Sequence, residues 1–186
     1  MKKMASLLVT ALLLAALAMV GMAEEEQSHV LIAYYSRTGT TQEAADRIAE
    51  LTGGDLVKLE TVQAYPEDYT ETTEVAKAEL EANARPELST VIENMDDYDT
   101  IYLGGLYERK NGLFPEKKQE DTYIAGKYDL SGKTIIPFCT SASSGIEESV
   151  ESLRVLYPDY TILDGLKIRD VDAIQAWIDS LTSEQK

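Results

Sequence analysis

Short β-branched and aromatic runs alternate along this chain with amphipathic stretches, and that alternation restricts it to strands covered by helices. Strands are expected at residues 30–35, 56–60, 100–104, 134–139 and 161–163. The first helix should start at the turn Thr38-Gly39-Thr40-Thr41 and bury Ala44, Ala45, Ile48 and Leu51 before Gly53-Gly54 stops it. Residues 70–82, rich in Glu, Ala and Lys, read as a second helix that ends near Arg85-Pro86. Ile146, Val150, Leu153 and Leu156 form a third helical stripe. Val171, Ile174, Trp177, Ile178 and Leu181 form the last, which makes Trp177 a core anchor rather than a ligand-stacking ring. Crossovers between such units are right-handed, so the expected class is α/β with a parallel sheet. Ligands of these sheets sit beyond the carboxyl ends of the strands, which singles out the loops after Tyr35, Gly104 and Cys139.

At 186 residues and 44% hydrophobic content, the chain has material for one well-buried domain. Its first 23 residues read differently. Lys2 and Lys3 precede an apolar run over residues 5–20, and Gly21-Met22-Ala23 then offers a small-x-small exit before Glu24-Glu25-Glu26. This is expected to be a signal peptide cleaved after Ala23, a retained membrane anchor being the other reading of so short an apolar run, which leaves residues 24–186 as one domain, secreted or periplasmic. Loss of the two lysines takes the net charge from −16 to −18. So acidic a chain is a poor partner for nucleic acid or anionic membranes, and it would attract a basic redox partner. Cys139 is the only cysteine, which excludes an internal disulfide, and no cluster has the spacing of a metal site. His29 is the sole histidine, and Asp96-Asp97 and Glu147-Glu148 read as solvated faces, so no catalytic acid, base or nucleophile is named.

The loop Ser36-Arg37-Thr38-Gly39-Thr40-Thr41 places hydroxyls and a turn glycine at a helix N-terminus. Amides, hydroxyls and the helix terminus together can hold a phosphate dianion without a lysine. A plain Ser/Thr helix cap is the other reading of the same residues.

In its pattern Ser36-x-Thr38-Gly39-x-Thr41 after Ile32-Ala33-Tyr34-Tyr35, this loop resembles the flavodoxin phosphate loop. The segments Ala64-Tyr65-Pro66-Glu67-Asp68-Tyr69, Asn83-Ala84-Arg85-Pro86-Glu87-Leu88 and the run from Tyr128-Asp129-Leu130 through Ile136-Pro137-Phe138 extend the resemblance to the flavodoxin-like subgroup that is often exported from bacteria. The resemblance implies a three-layer sandwich on a five-stranded parallel sheet in the order 2-1-3-4-5. It also implies flavin mononucleotide (FMN) across the carboxyl ends of strands one, three and four. Thr140-Ser141-Ala142-Ser143-Ser144-Gly145 is similar to the family's small, hydroxyl-rich loop beside the flavin ring, with Ala142 where a glycine is usual.

The loop after strand three departs from the family. Gly104-Gly105-Leu106-Tyr107 stands where relatives carry Gly-Tyr-Pro-Ile-Trp, so Tyr107 is the residue left to stack on the ring, and an ordinary loop tyrosine is the equal alternative. Residues 108–121 are then highly charged, which fits either divergence or a local change of reading frame that recovers by Tyr128. The expected function is an FMN-binding redox protein outside the cytoplasm, carrying electrons or reducing a quinone or flavin acceptor. The alternative is a noncatalytic module on the same scaffold with weakened or lost flavin affinity.

Overall fold

The computed structural model describes residues 29–82, 84, 86–105, 124, 127–140 and 145–184. In chain order they form β1 (Val30–Tyr34), α1 (Thr40–Thr52), β2 (Asp55–Lys58), α2 (Tyr69–Ala82), a 3-10 turn (Met95–Asp97), β3 (Thr100–Gly104), β4 (Thr134–Cys139), α3 (Glu147–Leu156), β5 (Thr161–Ile162), β6 (Leu166–Lys167) and α4 (Ala173–Glu184). The strands pair in parallel in the order β2-β1-β3-β4-β5, the flavodoxin-like order. No helix among the described residues is long and apolar enough to cross a membrane.

Central strands of a parallel sheet are covered on both faces, so they are apolar throughout. All five residues of β1 are buried, as are the last five of β4. Period-two alternation divides them between two cores. Val30, Ile32, Tyr34, Tyr102, Ile136 and Phe138 face α1 and α4, where they meet Ala44, Ala45, Ile48, Ile174 and Ile178. Leu31, Ala33, Ile101, Leu103 and Ile135 face the other layer, built from Val150 and Leu153 of α3 together with Leu88, Ile92 and Met95. Trp177 belongs to the first core and meets Tyr102 edge to face at 5.8 Å. Cys139 is buried at the end of β4.

The sheet differs from a simple five-stranded one at its β4 edge, where two short strands replace one. Thr134 and Ile135 pair with Thr161 and Ile162, whereas Phe138 and Cys139 pair with Leu166 and Lys167, so the edge gains one residue between them. That is the count of a β-bulge. Its cause is Pro137. The carbonyls of Ile135 and Cys139 face this edge and accept from Leu163 N–H at 2.9 Å and Ile168 N–H at 2.7 Å. By alternation Pro137 faces it as well and has no N–H to donate, so the edge strand loses its partner there and breaks.

Two further features anchor the frame. α2 buries none of its described side chains, and it is tied instead by Tyr65 Oη donating to Glu79 Oε2 at 2.6 Å and by Asp68 Oδ1 accepting from Glu71 N–H at 3.0 Å. At the amino ends of the strands, buried Lys133 donates from Nζ to the Tyr98 carbonyl at 2.6 Å, and Tyr98 Oη donates to Asp55 Oδ2 at 2.6 Å.

Candidate functional site

At the carboxyl end of β1 the chain turns through Ser36–Gly39 into α1. Gly39 lies at φ +92°, in the left-handed region that favours glycine, and its carbonyl accepts the first intrahelical bond, from Glu43 N–H at 3.0 Å. The N–H groups of Thr40, Thr41 and Gln42 precede that bond and have no intrahelical acceptor. Ser36 is buried, and its Oγ accepts from Gly39 N–H at 3.1 Å, which leaves its own proton to donate. Thr41 is also buried, while Thr38 and Thr40 are exposed with hydroxyls 3.4 Å apart. The outcome is a turn of neutral donors, hydroxyls beside amides that have no intrahelical acceptor, at the positive end of a helix dipole. Such a donor set fits a phosphate dianion.

Two neighbours brace this turn. Thr140, the first residue beyond β4, places Oγ1 2.9 Å from Thr41 Oγ1 across 99 positions of sequence. On the other side Arg37 donates to the Glu67 carbonyl at 3.3 Å and lies 5.7 Å from the centre of the Tyr69 ring. Arg37 thereby ties the turn to the segment between β2 and α2. Tyr35 packs edge to face on Tyr65 at 6.1 Å, and burial pushes its hydroxyl above the usual tyrosine range, with Arg37 opposing and Glu79 adding to the rise.

Gly104 and Gly105 close the floor between β1 and β4. Gly104 carbonyl accepts from Tyr35 N–H at 3.2 Å. Gly105 has φ +86°, and a Cβ there would stand 2.6 Å from the Tyr35 carbonyl oxygen. The structure thus gathers Ser36, Gly39, Thr41, Gly104, Gly105 and Thr140 at one sheet end, with Thr38 and Thr40 at its rim. Arg37 is turned to Glu67 and Tyr69, and exposed Gly145 precedes α3 without a hydrogen bond to the others among the described residues. Tyr107, Ser141, Ala142, Ser143 and Ser144 lie outside the described residues.

Missed in the sequence reading of the site are Tyr65, Glu67 and Tyr69. Their segment contributed to the family resemblance, but no local pattern places it beside Arg37. A separate shallow groove of about 400 Å³ runs along α1 and touches the turn only at Gly39. Glu43, Asp46 and Glu50 line it with the single cation Arg47, so its net negative charge disfavours a phosphate.

Fold and turn together define a parallel α/β protein with a turn of neutral donors at the carboxyl end of its sheet. The Flavodoxin family pattern matches residues 29–181, and the chain belongs to that family. Among solved structures, a protein of Bacteroides eggerthii provisionally described as a flavoprotein is 34% identical over 83% of this chain and 98% of its own, with a TM-score of 0.69. A second from Bacteroides uniformis, described likewise, is 28% identical over 83% and 99%, with a TM-score of 0.62. A Lactobacillus acidophilus flavoprotein solved in complex with FMN shares the fold at 20% identity over 81% and 99%, with a TM-score of 0.61. No match is found among curated proteins.

Proposed function

We propose that the chain is an extracytoplasmic flavodoxin that binds FMN noncovalently and carries electrons, or passes them to a quinone or flavin acceptor. The observation that carries this reading is the neutral donor turn from Ser36 to Thr41, braced by Thr140, in a chain of the Flavodoxin family. The FMN complex of the Lactobacillus acidophilus relative supports the choice of cofactor. Bound FMN would supply the redox chemistry. The chain's part is to hold and orient. Ser36 and Thr41 hydroxyls and the first amides of α1 would bind the phosphate.

The leader pattern over residues 1–23 supports export, and the family match begins only at residue 29. The acidic charge favours a basic electron-transfer partner. One sequence observation favours the second reading, a binding module with lost flavin affinity: Leu106-Tyr107 stands where relatives carry the aromatic clamp. An absorbance spectrum of the purified mature protein, with and without added FMN, decides between them. A bound flavin spectrum supports the redox protein, and no binding of added FMN refutes it.

A further inference from the structure

The hydroxyl pair Thr41–Thr140 does more than join two loops. Thr140 follows Ile136 and Phe138 at two-residue spacing, so it continues the face of β4 that α1 covers. β3 lies between β1 and β4, a gap of about 10 Å across two strand spacings. On that face β3 ends in Gly104, where a Cβ would run into the Phe138 ring. Phe138 fills the space a β3 side chain would take, and Thr140 above it reaches the first turn of α1.

A threonine hydroxyl has one proton and two lone pairs. At 2.9 Å one of this pair donates to the other, and without a ligand either direction serves. A phosphate dianion offers only acceptors, so a bound phosphate claims the Thr41 proton. Thr41 Oγ1 can then only accept, and the donor facing it is Thr140. We infer that Thr140 is a positioning residue for the ligand's phosphate: its hydroxyl donates to Thr41 Oγ1 and thereby aims the Thr41 proton at the phosphate. This rests on the flavin reading above and reassigns Thr140, which the family resemblance places against the ring. The two roles separate by ligand. A ring contact serves FMN and riboflavin alike, whereas a relay to the phosphate serves FMN alone.

The test is titration of the full mature chain with FMN and with riboflavin, in the wild type and in Thr140→Val, Thr140→Ser, Thr41→Val and the Thr41→Val/Thr140→Val double variant. Thr140→Val should bind FMN roughly tenfold more weakly, the upper end of the scale for one neutral hydrogen bond, with riboflavin affinity unchanged. Thr140→Ser keeps the hydroxyl and should match the wild type. In the Thr41→Val background the second change should add less than about twofold, because the relay has already lost its recipient. Equal losses for both ligands, a Thr140→Ser protein as weak as Thr140→Val, or additive losses in the double variant would each overturn the inference. Where riboflavin binds too weakly to measure, the cycle with FMN decides alone. A wild-type chain that binds neither ligand sinks the flavin reading itself, a result distinct from wild-type binding that Thr140 leaves untouched.

Discussion

Replacing Gly105 and Gly39 by alanine in turn separates backbone strain from steric conflict at the candidate site. Both glycines have positive φ, +86° and +92°, so alanine at either carries a left-handed penalty of roughly 1–2 kcal/mol. Their surroundings differ. At Gly39 an added Cβ meets nothing within 4 Å. At Gly105 it stands 2.6 Å from the Tyr35 carbonyl oxygen and 3.3 Å from Tyr35 Cβ, and a backbone carbonyl bonded into the sheet end cannot swing aside as a side chain does. Overpacking of this kind adds about 1–3 kcal/mol. Gly39→Ala should therefore destabilise by about 1–2 kcal/mol and Gly105→Ala by about 2–5 kcal/mol. Urea unfolding of residues 24–186, followed by circular dichroism, measures both, with an unchanged slope showing that stability and not the surface exposed on unfolding has changed. Losses that agree to within about 0.5 kcal/mol would refute the steric argument.

Burial raises the hydroxyls of Tyr34, Tyr35, Tyr98 and Tyr102 above their ordinary value of 10.0, with the Asp55 hydrogen bond adding to the rise at Tyr98. The folded state holds these protons more tightly than the unfolded chain, so their stabilisation is complete below pH 10.0 and lost as pH climbs through the raised values. The urea midpoint should fall between about pH 8 and about pH 11, less steeply in Tyr102→Phe, and a flat profile would contradict the assignment. Lys133→Met removes the buried donor to the Tyr98 carbonyl and should cost about 1–3 kcal/mol in the same assay without altering FMN affinity, since Lys133 lies at the opposite end of the sheet. Tyr107→Ala should weaken FMN binding if that ring replaces the family's tryptophan, and an unchanged dissociation constant removes it from the site.

Where hydrophobic pattern decides structure, the sequence is a sufficient guide. β3 and β4 fall where the apolar runs place them, and Ala44, Ala45, Ile48, Ile174 and Ile178 are buried as their spacing requires. The flavodoxin strand order comes from family resemblance, since alternation alone gives only a parallel sheet. The broken edge is invisible to pattern: β5 and β6 are two residues each, and their separation depends on which way Pro137 faces, a property of pairing rather than of local composition. Met95–Asp97 is likewise too short for periodicity to register. α2 is legible from propensity, yet it buries none of its described side chains, so the same reading says nothing of what holds it.

The site divides along the same line. Gly39 and the hydroxyls beside it are contiguous and can be read from the loop, whereas the Thr41–Thr140 contact joins residues 99 apart and needs the sheet order before it can be drawn. Its one sequence signal is the alternation Ile136, Phe138, Thr140, which puts Thr140 on the face of β4 that α1 covers. Arg37 belongs to the phosphate loop by sequence, but in the structure it braces the turn against Glu67 and Tyr69.

Titration of purified residues 24–186 with FMN, followed by flavin absorbance and fluorescence, tests the central claim most directly. The account predicts saturable binding of one FMN per chain, weakened when Ser36 and Thr41 lose their hydroxyls. Absence of binding, or binding indifferent to both hydroxyls, would contradict it.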